Sequence, residues 1–348
     1  MGVWVLAVTV LSGCATAESS SVTASASPPV TPKPSAGPLE SALGTPAQVF
    51  GADCGAVFTL SGLSAALGTA MVTADPRPVT EFYDVAVRTG AGLSCDWAPG
   101  SGLSGASLSA VVLPAALMAA GSLEEPWCYA VGDGDAILPA CSFDISRSGY
   151  WLSGIAYTAV GTTESDVRTA VSRITEQFTT SAAETSQVGS GTQPLDAWPA
   201  VPCSSLAASQ PVAAVTGGFA VSGGNGPAEV PGGYIAAAQA ASMSNCIWQE
   251  SGSNPAGFTV QTLPGAAWVQ DEVAALPGAQ ELAVPGLERA VVTTTGDLVT
   301  LHIFDGSNLM TVDAGGPSES ADATVVGEKY GPVAVALVTA FNQYRDEK

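Results

Sequence analysis

Ser94-Cys95-Asp96-Trp97 and Asn245-Cys246-Ile247-Trp248 carry one pattern, a cysteine followed two residues later by a tryptophan. Each closes an interval opened by another cysteine. Cys54 to Cys95 is 41 residues, and Cys203 to Cys246 is 43. Working outward, the two copies keep step. Gly68 stands 14 residues after Cys54, and Gly217 stands 14 after Cys203. Leu113-Pro114-Ala115-Ala116 begins 18 residues past Cys95, and Leu263-Pro264-Gly265-Ala266-Ala267 begins 17 past Cys246. Four landmarks in one order predict two homologous domains. Residues i and i+2 of a strand face the same side, so Trp97 and Trp248 are expected in the core beside their cysteines. Trp127, Trp151, Trp198 and Trp268 have no repeat partner, and core packing is the expectation for each.

The chain has seven cysteines. With Cys14 set aside for the N-terminal signal below, an even six remain. An even count in an exported chain argues for disulfides. The repeated spacing selects Cys54 with Cys95 and Cys203 with Cys246, which leaves Cys128 with Cys141. Between the last two, apolar runs flank Gly132-Asp133-Gly134-Asp135, a hairpin signal. A bridge there closes a short loop, worth roughly 3 kcal/mol in the chain-entropy view. The second domain has no counterpart.

Periodicity predicts the elements. Leu60, Leu63, Ala66 and Leu67 recur at helical spacing, and Gly68 sits where a left-handed cap belongs. Strands are expected at C-x-W, at 108–112 and at 258–262, where Phe258-Thr259-Val260-Gln261-Thr262 alternates apolar with polar. Further strands are expected at 289–294, 298–304 and 309–312. Each domain should end in an amphipathic helix. In the first, Thr163 and Asp166 form a capping-box pattern ahead of a Val167, Ala170, Val171, Ile174, Phe178 stripe. In the second, Pro332 is placed in the first turn, ahead of Val333, Leu337, Val338, Phe341 and Tyr344. Helix, antiparallel strands and helix make an α+β fold.

The 348 residues carry 10 Lys plus Arg against 31 Asp plus Glu, a net charge of −21. Such a chain is repelled by phosphates, and no basic patch is visible, so nucleic acid is excluded as a partner. One histidine, His302, rules out His-rich metal sites. Its place between Leu301 and Ile303 reads as an ordinary strand position.

Val3-Trp4-Val5-Leu6-Ala7-Val8-Thr9-Val10-Leu11 is an apolar run ending in Leu11-Ser12-Gly13-Cys14. No Lys or Arg precedes it. The four residues resemble the lipobox of bacterial lipoproteins, which implies a signal peptide over 1–13 and lipidation, including palmitate, at Cys14. The run is shorter than the roughly 20 residues of a spanning helix. Residues 14–45 are rich in Ser, Thr and Pro and cannot bury enough apolar surface to order themselves. Such a tether reaches roughly 30 Å. A stretch of similar character at 181–194 reads as a linker. The expected domains are therefore 46–180 and 195–348. With its lipobox, tether and paired C…C-x-W domains, the chain looks like the small secreted lipoproteins of actinobacteria. It also resembles the extracellular sensor domains of mycobacterial receptor kinases. The resemblance implies a fold and an extracytoplasmic, membrane-anchored location, and no catalytic residue.

No catalytic set emerges. There is no G-x-S-x-G elbow. Ala220-Val221-Ser222-Gly223-Gly224 is the nearest approach and reads as a surface loop. Asp133 and Asp135 lack the further acids of a calcium loop. Glu124 with Glu125, and Asp271 with Glu272, read as solvated surface. No cofactor and no metal are expected. The expected function is a non-enzymatic, sensor-like module that binds an envelope protein or small ligand. The alternatives are a carboxylate-dependent hydrolase of envelope polymers, which requires a cleft lined by two acids, and a structural spacer, which requires no pocket.

Overall fold

A computed structural model of the chain describes residues 44–75, 77–100, 105–118, 125–132, 137–185, 194–217, 219–223, 231–250, 257–296, 298–315 and 323–347. The lipobox with Cys14, nearly all of the tether, Glu124, Asp133, Asp135 and Gly224 lie outside them.

The first half runs α1 (Cys54–Val57), α2 (Leu60–Leu67), β1 (Met71–Thr73), α3 (Phe82–Thr89), β2 (Leu93–Pro99), β3 (Ser107–Pro114), β4 (Trp127–Val131), β5 (Leu138–Arg147), β6 (Tyr150–Tyr157) and α4 (Glu164–Glu184). The second repeats it as α5 (Cys203–Ala208), α6 (Gln210–Val215), β7 (Phe219–Gly223), α7 (Gly232–Ala240), β8 (Ser244–Glu250) and β9 (Gly257–Leu263). It continues with α8 (Gln270–Ala274), β10 (Gln280–Leu282), β11 (Arg289–Thr295), β12 (Leu298–Asp305), β13 (Asn308–Gly315) and α9 (Ala323–Asp346). The strand orders are β1-β2-β3-β6-β5-β4 and β7-β8-β9-β13-β12-β11-β10, antiparallel throughout. They correspond strand for strand, with β10 an addition at one edge. The fold is α+β, built twice.

Local chemistry explains the ends. Thr59 caps α2, and Gly68 closes it at φ 72°, a left-handed position that costs glycine little. Thr163 and Asp166 cap α4 reciprocally. The expected stripe of α4 is buried, and the helix continues through 181–184, where Ala182 is buried too. The linker reading therefore begins too early. Pro332 is not in a first turn either, because α9 starts at Ala323 and holds Pro332 inside. Burial of Val326 and Tyr330 against the core carries the helix through a residue that cannot donate its backbone hydrogen bond.

Among the helices with no precedent in the expected elements are α3 and α7. They end alike. Gly90, Ala91 and Gly92 donate to the carbonyls of Ala86, Arg88 and Val87, while Ala241, Ser242 and Met243 donate to those of Ala237, Gln239 and Ala238. Ala91 and Ser242 take the left-handed conformation there.

Disulfides join Cys54 to Cys95, Cys128 to Cys141 and Cys203 to Cys246. Cys128 faces Cys141 directly across β4 and β5. In the second sheet Thr294 and Val299 face each other at the matching place.

Three apolar cores result. One lies between the first sheet and α4 and includes Trp97, Phe143 and Phe178. One lies between the second sheet and α9 and includes Trp248, Leu301 and Phe341. The third is a seam shared by both halves, joining Val85 and Ala86 of α3, Tyr234 and Ala237 of α7, Trp151 of β6 and Phe304 of β12. α7 lies on β3 and β6 of the opposite half, and α3 reaches β9. A Cβ on Gly233 would come within 2.8 Å of the Val111 Cβ, so that close approach of α7 needs glycine. All the described residues belong to one compact unit.

Candidate functional site

At the seam, the first half opens a cleft of about 690 Å³. Its floor is β2, which places Ser94 and Asp96 on one side of the strand while Cys95 and Trp97 point to the core. α3 contributes Asp84 and Arg88, the loop before it Arg77, and α8 of the second half Glu272. The Cys54–Cys95 bridge forms part of the wall.

Arg77 grips Asp96 with two bonds, Nε to Oδ2 at 2.7 Å and Nη2 to Oδ1 at 3.0 Å. Its guanidinium also lies 5.3 Å from the ring centre of Tyr234, which α7 delivers from the second half. Arg88 reaches the other way. Its Nη2 donates to Glu272 Oε1 at 3.1 Å, and its guanidinium lies 4.5 Å from the ring centre of Trp268. Trp268 Nε1 in turn donates to Thr89 at 3.2 Å. Both arginines therefore tie α3 and its loop to the other half.

Asp84 is the unusual group. It is 4% exposed and accepts a hydrogen bond from the Ser94 hydroxyl. Burial pushes its carboxyl above the ordinary range, against the opposing pull of Ser94, Arg88 and Arg77. Burial likewise raises the Tyr234 phenol. The Tyr234 hydroxyl lies beside Ser94 but makes no hydrogen bond of normal geometry, and Ser109, directly opposite Asp96 on β3, also keeps a buried hydroxyl without one.

Counting from the shared helix ends and C-x-W, the second half puts Ile235 where the first has Asp84, Asn245 for Ser94 and Ile247 for Asp96. The polar constellation belongs to the first half alone.

Apart from Cys54, Cys95 and Glu272, the residues singled out by sequence fall elsewhere. His302 is 2% exposed on the seam side of β12 and shares a 2.8 Å hydrogen bond with Thr293. Burial lowers its pKa to about 4, so the ring is neutral. Asp271 pairs with Arg289 at 2.9 Å, and Glu125 is exposed. Glu272, read as solvated surface, proves to be a wall of the cleft. Ser222 and Gly223 lie on β7, an edge strand rather than a loop. Trp97, Trp151, Trp198, Trp248 and Trp268 are buried, whereas Trp127 is 61% exposed and stacks on Tyr129 at 4.7 Å. A second concavity of about 680 Å³ lies between α6, β10 and α9, with Val215, Leu282, Val284 and Val335 among its mainly apolar lining.

No protein-family model and no curated protein matches this chain. Among solved structures, the di-domain ARO/CYC StfQ from the steffimycin biosynthetic pathway is 10% identical, with a TM-score of 0.16, over 87% of this chain and 97% of that one. DynU16 from the dynemicin biosynthetic locus is 11% identical, with a TM-score of 0.13, over 79% and 97%. The di-domain ARO/CYC BexL from the BE-7585A biosynthetic pathway is 10% identical, with a TM-score of 0.14, over 80% and 93%. Likeness this slight carries no argument about function.

Proposed function

We propose that this is a lipid-anchored protein of the cell envelope that binds a small ligand in the cleft between its halves. The observation that carries the reading is Asp84. A buried carboxyl with a raised pKa, lining a cleft at the junction of two halves, is a functional-site signature. Its place in the duplicate is taken by Ile235, which is 39% exposed, so the buried carboxyl is particular to the first half. The anchor is Cys14, and the tether would hold the cleft clear of the bilayer.

The hydrolase reading has one observation in its favour, two carboxyls in a cleft with one raised. Asp96, however, is committed to Arg77, so it is not free to act as the second carboxylate of a hydrolase. A spacer needs no cleft.

Two experiments test the proposal. Cys14→Ser should move the protein from the detergent phase to the aqueous phase on cloud-point separation, and continued partition into detergent would refute the anchor. For the cleft, a thermal-shift screen of small metabolites is run on the wild type and on Leu60→Trp, in which a half-exposed lining residue is enlarged. Hits lost in Leu60→Trp support the cleft. Hits that survive it, or no hits at all, contradict it.

A further inference from the structure

We propose that the cleft holds an organic cation, an ammonium or guanidinium group seated beside Asp84 and Asp75 with its carbon skeleton against Leu60 and Leu276. The inference rests on the cleft being the ligand site and names the class of ligand.

The charges decide the class. Both guanidinium groups in the cleft are already spoken for, Arg77 by Asp96 and Arg88 by Glu272. Asp53, Asp75 and Asp84 also line it, and none has an ion-pair partner among the described residues. An anionic ligand would find no uncommitted cation and three acids without an ion-pair partner among the described residues. A cation finds the reverse. Low-dielectric walls strengthen that preference.

The chain itself shows what these walls accept. Arg77 rests between a carboxylate and the Tyr234 ring, and Arg88 between a carboxylate and the Trp268 ring. Each is a cation held by opposite charge on one side and a π face on another. Behind Asp84, the buried Tyr234 hydroxyl lies beside Ser94, which lines the cleft.

Asp84 is also held where burial opposes its charge. It is faced by Ser94 and Asp96 of β2, by Arg77, by Arg88 of its own helix and by Tyr234 of α7. Taken together these leave its carboxyl above its ordinary pKa, so the ionised form weakens the fold. A bound cation would stabilise the carboxylate and release a proton when Asp84 is protonated.

The test is calorimetric titration of the full-length protein with spermidine, with inorganic phosphate and maltose as the anionic and neutral probes. Spermidine should bind saturably at one site. Binding should weaken at least tenfold in Asp84→Asn, and also in Asp75→Asn, whose exposed position leaves folding untouched. It should also weaken as pH falls, with proton release visible as a buffer-dependent heat. Spermidine binding that Asp84→Asn and Asp75→Asn leave unchanged, and that only salt weakens, would mean diffuse attraction to an acidic surface and would overturn the proposal. Phosphate or maltose binding that Leu60→Trp abolishes, without spermidine binding, would overturn the cation while keeping the cleft as the site. If no probe binds, the cation falls, and the metabolite screen alone then decides the cleft.

Discussion

Asp84 and His302 are the two buried titratable groups whose behaviour separates function from fold. Asp84→Asn removes a carboxyl that burial disfavours. The variant should be more stable than wild type at pH 7 and lose that advantage in acid, where wild-type Asp84 is protonated. Urea midpoints at the two pH values check this, and a less stable variant at pH 7 would show that the carboxylate supports the fold. His302 works the other way. Its folded pKa of about 4 lies below the ordinary 6.5, so the unfolded chain takes the proton first. Its contribution is present above about 6.5 and is lost as pH falls toward 4, by at most roughly 3 kcal/mol. His302→Gln can keep the Thr293 hydrogen bond and should flatten this part of the stability profile. An unchanged slope between pH 6.5 and 4 would contradict the assignment.

Elements show where local rules hold and where packing overrides them. Thr163→Ala should cost about 1 kcal/mol, read as a lower urea midpoint at constant slope. Pro332→Ala returns a hydrogen-bond donor to the middle of α9 and should raise stability by about 1 kcal/mol or more; a loss would show that the proline ring is needed for packing. The sequence made α2, α4, the C-x-W strands and the β11–β13 strands legible, because their signals are local: caps, periodicity and turns. α3 and α7 escaped notice for physical reasons. Each is eight or nine residues long and puts Ala91 or Ser242, not glycine, in the left-handed position past its end, and α7 opens on Gly232-Gly233. Their stability comes from the seam, which no local pattern encodes. The cleft was hidden for the same reason. Glu272 is far in the chain from Asp84 and Asp96, and the three meet only through α3, β2 and α8. Only Glu272 had drawn attention, and as surface. The one usable signal was the comparison of Asp96 with Ile247, a mismatch inside an otherwise matched motif.

At the scale of the whole molecule, the central claim is that two copies of one α+β unit share a core, and that the cleft exists because they do. Each sheet buries one face under its own long helix and turns the other toward the seam. Separated halves, 44–185 and 194–347, would expose Val111, Leu113 and Trp151, or Val291, Phe304 and Leu309. Neither should remain monomeric with a dispersed NMR spectrum, and a well-behaved single half would show that the seam is dispensable. The most direct measurement uses the intact chain labelled with fluorotryptophan. Trp97 reports on the first half and Trp248 on the second, each buried beside its own disulfide. The account predicts that both native resonances disappear at the same urea concentration, in one cooperative transition. Two separate midpoints would contradict it.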